Sequence, residues 1–327
     1  MPFVAVDPAT GKQTAEVPFE SSTQTEQKVA SAQAAYLDWR LLSVEERIRP
    51  LAEMGRLLRE RKDAFGALMT SEMGKPISQA TAEAEKCAWV CDYYAEQAPS
   101  LLRTVNAPTD GSSSYWTYRP LGIVLGIMPW NFPFWQVIRF GAPALTAGNA
   151  ALLKHAPSVP TCAAALEELF KDAGYPEGLF ANLFIDLEAT GNLIDDPRVR
   201  AVSLTGSVRA GKAVAARAGA AIKPCVLELG GSDPSLILAD ADLAAAAKSC
   251  AMGRLINTGQ SCVAAKRFVV VESVREAFEE KLVQAMSEWS IGDPSDPQTD
   301  VGPMAREDLR DALHDQVSRS VEAGARL

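Results

Sequence analysis

The chain has 327 residues, 47% of them hydrophobic, which is enough for two domains with buried cores. Its 41 acidic and 32 basic side chains give a net charge of −9. These charges are spread along the chain, which disfavours nucleic-acid binding. The N-terminus lacks a signal-peptide pattern, and no stretch offers the roughly 20 apolar residues that a membrane helix needs. The composition predicts a cytoplasmic protein without a membrane or nucleic-acid partner.

The six cysteines are too dilute for a disulfide scaffold, and none has zinc-ligand spacing. We therefore predict no metal site. A cysteine with a chemical role must act with helpers of other residue types.

The first part of the chain has helical spacing from residue 21 to about 102. Ser43 and Glu46 form a predicted capping box, and Pro50 should kink or shorten the helix that this box opens. A polar stretch at residues 106–114 precedes an aromatic, β-branched run at residues 115–119, which predicts an exposed strand. Such an arm, near residues 112–122, often serves a subunit interface.

Short apolar runs then alternate with helical patterns, which is typical of a parallel sheet in an α/β fold. The predicted strands cover residues 122–128, 150–153, 180–185 and 199–204. Further strands at 235–239 and 267–271, with a helix from Asp242, indicate a second α/β domain that begins near Glu228. The pattern predicts domains at residues 1–227 and 228–327.

The segment NTGQSC, which ends at Cys262, predicts a turn that presents one thiol just before a strand. A turn places a nucleophile where a substrate can reach it. A buried core cysteine is the usual alternative for a lone cysteine.

The segment LELGG at residues 227–231 places the Glu228 carboxylate between apolar residues. Burial there should raise the pKa of Glu228 and make it a base near neutral pH. A structural carboxylate is the alternative. In the segment PWNFP at residues 129–133, Asn131 stands before a helix, where its amide either donates to an oxyanion or caps the helix.

Phosphate-binding features are less specific. No GxGxxG fingerprint is present, but the TGS turn at residues 205–207 ends a strand and starts a helix, so its amides could face a phosphate. Residues 206–212 imitate a Walker A loop, yet Ala213 replaces the Mg²⁺-binding hydroxyl, which disfavours a nucleoside triphosphatase. Lys154 follows an apolar run at a strand end, the edge where α/β sheets bind ligands, with a solvated lysine as the alternative.

These segments, in this order, resemble the aldehyde dehydrogenase superfamily over nearly the whole chain. The resemblance implies a Rossmann-type parallel-sheet NAD(P)-binding domain and a second, incomplete α/β catalytic domain. It also implies that Cys262 is the nucleophile, Glu228 the general base, and Asn131, with the Cys262 amide, the oxyanion hole.

The same resemblance implies a cofactor, NAD or NADP, and assigns residues to it. These residues are Met128, Trp130, Lys154, Gly206, Ser207 and Leu229. Many family members that prefer NAD carry a glutamate where this chain has Pro157, so the preference between the two cofactors stays open.

Within the superfamily, the segments around Lys154 and Cys262 most resemble short bacterial succinate-semialdehyde dehydrogenases. Arg139 stands where those enzymes place a carboxylate-binding arginine. Ile256 occupies the position of a second arginine found in some of them, so the substrate assignment is weaker than the reaction. The expected function is oxidation of an aldehyde, with succinate semialdehyde as the first candidate.

The family continues beyond the position where this chain ends, and a complete chain is expected to form a homo-oligomer. The alternative function is a truncated, catalytically silent chain that binds dinucleotide or pairs with full-length subunits. A third hypothesis, a thiol hydrolase, requires His155 or His314 as the partner of Cys262.

Overall fold

The computed structural model of the protein describes residues 2–327 and divides into two compact units. The first unit comprises the chain up to residue 5 and residues 15–65 and 81–229. The second comprises residues 6–14, 66–80 and 230–327. Two early segments thus group with the later part of the chain, a long-range arrangement that local sequence patterns do not encode.

The N-terminal region begins with a two-stranded sheet of β1 (Phe3–Val6) and β2 (Gln13–Val17). Five helices follow: α1 (Ser22–Trp39), α2 (Val44–Arg47), α3 (Arg49–Glu60), α4 (Lys62–Met73) and α5 (Ile77–Leu101). The predicted capping box at Ser43 and Glu46 is present at the start of α2. Pro50 lies in the first turn of α3, so the expected interruption is confirmed as the break between α2 and α3.

A short antiparallel ribbon connects these helices to the main sheet. It consists of β3 (Val105–Asn106) and β4 (Tyr115–Trp116). The predicted strand at residues 115–119 is therefore shorter than expected, although both residues of β4 are exposed as predicted.

The main sheet of the first unit has five parallel strands. They are β5 (Ile123–Ile127), β6 (Ala150–Lys154), β7 (Phe180–Asn182), β8 (Val199–Gly206) and β9 (Cys225–Leu229). Four helices alternate with them: α6 (Trp135–Thr146), α7 (Pro160–Asp172), α8 (Leu187–Asp195) and α9 (Val208–Ala220). The predicted parallel α/β fold is confirmed. Its central strands are apolar because helices cover both faces of such a sheet.

The strand order is β7-β6-β5-β8-β9. From β5 the chain adds β6 and then β7 on one side. It then adds β8 and β9 on the other side of β5. This reversal between β5 and β8 creates a crevice at the carboxyl ends of the strands, which is where open α/β sheets bind ligands.

The second unit contains a two-stranded parallel sheet of β10 (Pro234–Ile237) and β11 (Arg267–Val270). Its helices include α10 (Leu243–Leu255), α11 (Arg275–Ser287) and α12 (Glu307–Glu322), with short 3-10 helices at Ile256–Gly259 and Glu272–Val274. A small core of Ile237, Ala247, Cys250 and Phe278 joins the sheet to α10 and α11. Within residues 2–327, no helix combines the length and apolar character needed to cross a membrane.

Candidate active site

The candidate cofactor residues of the first unit lie at one edge of its sheet. Lys154, the last residue of β6, is the register partner of Ile127 at the end of β5. Gly206, the last residue of β8, is the partner of Leu229 at the end of β9. Met128 directly follows β5, and its amide donates to the Lys154 carbonyl oxygen at 3.1 Å. Parallel pairing thus brings four separate sequence segments to the same edge.

The loop after β5 carries Trp130 and Asn131, both partly exposed. Helix α6 begins only at Trp135. Its N-cap residue is Phe134, whose side chain forms no capping hydrogen bond. The alternative that Asn131 is the N-cap of this helix is therefore wrong.

Glu83 supplies the cap instead. Its Oε1 accepts from the amides of Phe134 at 3.0 Å and Trp135 at 2.9 Å. The carboxylate is buried and lies at the positive end of the α6 dipole, where a negative charge is stabilised. Sequence reasoning missed Glu83 because it lies about 50 residues earlier in an ordinary helical pattern.

His155 fixes the same loop from the side of β6. Its ring is fully buried, its Nε2 lies 3.0 Å from the Pro133 carbonyl oxygen, and its Nδ1 accepts from the Ala156 amide at 2.8 Å. These partners require a neutral ring with the proton on Nε2. Burial lowers the pKa of His155 to about 4, which agrees with that form. Because both ring nitrogens are occupied, His155 is a structural residue rather than a general base.

Lys154 is buried, with 7% of its surface exposed, so the alternative of a solvated lysine is wrong. Its Nζ lies 5.5 Å from the centroid of the Phe3 ring. Burial lowers the pKa of Lys154 to about 8. A desolvated ammonium group at a ligand-binding edge gains strongly from an oxygen-rich or anionic ligand.

The TGS turn has the geometry of a phosphate site. Ser207 is the N-cap of α9, and its Oγ accepts from the Ala210 amide at 3.2 Å. The first amides of a helix lack intrahelical acceptors, and Ser207 occupies only that of Ala210. A Cβ built on Gly206 would meet no atom nearer than 3.7 Å, so the approach to this helix end is open. This helix start is therefore able to bind an anionic group.

Glu228 lies on β9, the last strand of the five-stranded sheet, and 53% of its side chain is exposed. The predicted burial of this carboxylate is therefore wrong. Local apolar neighbours in the sequence suggested a buried strand, but the position of β9 at the sheet edge decides the exposure.

Arg139 approaches the Glu228 carboxylate from α6. Its Nη1 lies 3.8 Å from Glu228 Oε2, and its Nη2 donates to Thr205 Oγ1 at 3.3 Å. The predicted carboxylate-binding arginine and the predicted base are thus neighbours within the first unit. Nothing in the local sequence pattern indicated this contact.

Leu229 packs closely against the start of α9. A Cβ on Gly211 would lie 2.7 Å from Leu229 Cδ2, so the absence of a side chain at residue 211 makes room for Leu229. The contact holds the TGS turn and the end of β9 in one rigid arrangement.

Cys262 belongs to the second unit and lies in a turn between the Ile256–Gly259 helix and β11. Its side chain is half-buried, whereas Cys87, Cys91, Cys162 and Cys250 are buried. The alternative of a buried core cysteine is therefore wrong for Cys262, and the predicted turn is confirmed.

The chain before Cys262 adopts an unusual conformation. Asn257, Thr258 and Gly259 have φ values of 56°, 55° and 72°, all in the left-handed region. For a β-branched residue such as Thr258 this costs about 1–3 kcal/mol. Gln260 Oε1 accepts from the Ala305 amide at 3.0 Å and helps to hold the turn. Backbone strain that packing maintains is characteristic of functional sites.

Comparison with known proteins places these features in context. The model of the aldehyde dehydrogenase family matches residues 2–327. The succinate semialdehyde dehydrogenase [NAD(P)+] Sad of Escherichia coli is 47% identical over 324 residues, which cover 99% of this chain and 70% of that protein. A probable succinate-semialdehyde dehydrogenase [NADP(+)] of Synechocystis is 46% identical and covers 99% of this chain and 72% of its own length.

Solved structures agree with the fold. Succinic semialdehyde dehydrogenase from Streptococcus pyogenes, determined with NADP⁺ as the cofactor, superposes with a TM-score of 0.96 at 34% identity. The match covers 98% of this chain and 71% of that one. The structure of Gox0499 superposes with a TM-score of 0.98 at 39% identity and covers 100% of this chain and 72% of that one.

Proposed function

Because this chain belongs to the aldehyde dehydrogenase family, we propose that it oxidises succinate semialdehyde to succinate with NAD⁺ or NADP⁺. One observation carries the substrate proposal. The Arg139 guanidinium stands 3.8 Å from Glu228 Oε2, so a carboxylate-binding group lies beside the proposed base at the ligand-binding edge. The names of the similar enzymes from Escherichia coli and Synechocystis support the same substrate.

In the proposed reaction, the Cys262 thiolate adds to the aldehyde carbon and forms a C–S bond. The oxygen becomes an oxyanion, which the Asn131 side-chain amide and the Cys262 backbone amide stabilise. A bound NAD⁺ or NADP⁺ would supply the acceptor for the hydride that leaves this carbon. A thioester then remains on Cys262.

Glu228 completes the reaction by hydrolysis of this thioester. Its carboxylate takes a proton from water as the water oxygen attacks the acyl carbon, and the C–S bond breaks to release the carboxylic acid and the thiolate. An exposed carboxylate has access to water for this step. In this proposal Arg139, which lies beside Glu228, binds the distal carboxylate of the substrate.

The cofactor is proposed to lie along the carboxyl edge of the sheet. Lys154 would hold the adenosine ribose, and Gly206 and Ser207 would face the phosphates. Met128, Trp130 and Leu229 would contact the rest of the dinucleotide. The buried, desolvated Lys154 and the open start of α9 support this placement.

The proposal is tested by the formation of reduced nicotinamide with the 327-residue chain. Succinate semialdehyde and a neutral aldehyde of similar length are compared with each cofactor. We expect kcat/KM to be higher for succinate semialdehyde, because only that substrate places a carboxylate at Arg139. Equal values for the two aldehydes would contradict the substrate assignment. Dinucleotide binding without turnover by the folded chain would favour the alternative of a catalytically silent protein.

Replacement of Arg139 by methionine should raise the KM for succinate semialdehyde by about 10- to 100-fold, because a charge-assisted pair with the substrate carboxylate is lost. The KM for a neutral aldehyde should change little. The Arg139→Lys variant is the matched control. Its KM for succinate semialdehyde should rise less, because lysine keeps the charge but cannot form the bidentate pair of arginine. An equal rise in KM for both aldehydes would show that Arg139 acts only through the structure.

The buried Lys154 predicts a pH dependence that distinguishes the two cofactors. Its pKa of about 8 means that the ammonium form is lost as the pH rises through that value. NADP⁺ should therefore bind about tenfold more weakly at about pH 9 than at about pH 7, because its 2′-phosphate requires the cation. NAD⁺ affinity should change less. Titration calorimetry over this range, with Lys154→Met as control, checks the prediction, and a flat profile for NADP⁺ would refute it.

A further inference from the structure

A separate cavity in the first unit is lined by three arginines. It measures about 300 Å³, and Arg40, Arg47 and Arg119 border it together with the hydroxyl residues Ser43 and Thr117. Among the residues that the structure describes, no aspartate or glutamate lines it. Such a concentration of positive charge stands out in a chain with a net charge of −9.

The central arginine, Arg47, is buried with only 7% of its surface exposed. Its Nε has no hydrogen-bond partner, and no ion pair forms to its guanidinium within residues 2–327. Burial lowers the pKa of Arg47, and the nearby Glu45 only partly offsets this effect. A buried guanidinium nitrogen without a hydrogen-bond partner is destabilising, and an anion in the cavity would supply the missing acceptor.

The backbone is shaped around this guanidinium. Gly148 has a φ of 94°, and a Cβ built on it would lie 2.5 Å from Arg47 Nη1. Only glycine therefore allows both this turn and the approach of Arg47. Close packing thus fixes the position of the Arg47 guanidinium.

The other two arginines are also uncommitted. Arg40 lies over the Tyr36 ring at 5.8 Å, and neither Arg40 nor Arg119 forms an ion pair in the described part of the chain. Several exposed arginines elsewhere do pair with carboxylates, as Arg56 does with Glu53.

We propose that this cavity binds a phosphate dianion, either free or as the terminal group of a small phosphorylated molecule. Guanidinium groups match phosphate oxygens in pairs, and three such charges favour a dianion over a monocarboxylate. The volume is at the lower end of ligand-binding pockets, which suits a small phosphorylated molecule. The site is separate from the carboxyl edge of the sheet where the cofactor is proposed to lie.

The test is titration calorimetry of the purified chain with inorganic phosphate and, separately, with glycerol phosphate. Arg40→Gln and Arg119→Gln remove exposed arginines and should leave the fold intact. We expect each to weaken phosphate binding by about tenfold and the double variant by more. Arg200→Gln, an exposed arginine outside this cavity, is the matched control and should bind phosphate as the unaltered chain does. Lys154→Met identifies any phosphate bound at the cofactor edge.

Stronger binding of glycerol phosphate than of inorganic phosphate would assign the site to a phosphorylated molecule, and equal binding would assign it to the free ion. The proposal is overturned if phosphate does not bind, or if the Arg40 and Arg119 variants bind it unchanged. The Arg47→Gln variant adds a third measurement. If it fails to fold, the two exposed arginines still decide the outcome.

Discussion

Replacement of Cys262 by alanine is expected to lower kcat/KM for aldehyde oxidation by at least about 10⁴-fold, the scale observed when a covalent nucleophile is removed. Without the sulfur atom no C–S bond forms, and the aldehyde carbon does not become a hydride donor. Production of reduced nicotinamide measures this loss. Cofactor affinity should be unchanged, because the residues proposed to bind the cofactor belong to the first unit.

Cys225→Ala provides the matched control. Within residues 2–327, Cys225 is the other half-buried cysteine, and it lies on β9 close in sequence to Glu228. This variant should retain turnover within a few-fold. If Cys225→Ala abolished turnover and Cys262→Ala retained it, the proposed nucleophile would be wrong. Circular dichroism of both variants separates loss of chemistry from loss of fold.

The Glu228→Gln variant should show a different defect. A general base typically contributes about 10²- to 10⁴-fold, so steady-state turnover should fall by that factor. In the proposed mechanism, addition of the Cys262 thiolate to the aldehyde does not need Glu228. The first turnover should therefore remain fast. Stopped-flow measurement should show a burst of reduced nicotinamide that approaches one equivalent per chain, followed by a slow phase.

Hydroxylamine supplies the control for this second prediction. It is a stronger nucleophile than water and attacks a thioester without a protein base, so it should restore steady-state turnover of the Glu228→Gln variant. It should not restore the Cys262→Ala variant, which forms no thioester. A Glu228→Gln variant that lacks the burst would place Glu228 in an earlier step. Because the side chain is exposed, its replacement should not disturb the core.

Arg139 contacts Glu228 and, in the proposed complex, also binds the substrate carboxylate. A substrate carboxylate that binds Arg139 competes with Glu228 for the same guanidinium. Substrate binding would then release the base from its ion pair before hydrolysis.

Local patterns in the sequence were sufficient for the main parallel sheet and for the family, although not for the short strands β1, β2 and β3. Apolar runs between helical segments predicted the parallel sheet, because strands buried on both faces must be apolar throughout. The capping box at Ser43, the break at Pro50 and the turn before Cys262 were also predicted, since each depends on the few residues around it. The motifs around Asn131, Lys154, Glu228 and Cys262 carried the resemblance to aldehyde dehydrogenases.

Contacts between distant parts of the chain were decided only by the tertiary structure. The exposure of Glu228 depends on the place of β9 at the sheet edge, and its pairing with Arg139 depends on α6, which packs on β5 and β6. Glu83 caps α6 from about 50 residues away, and Arg40, Arg47 and Arg119 meet in one cavity. The physical reason is that periodicity and turn chemistry report each residue's own neighbourhood, whereas burial, charge pairing and pKa depend on groups that only the folded topology brings together.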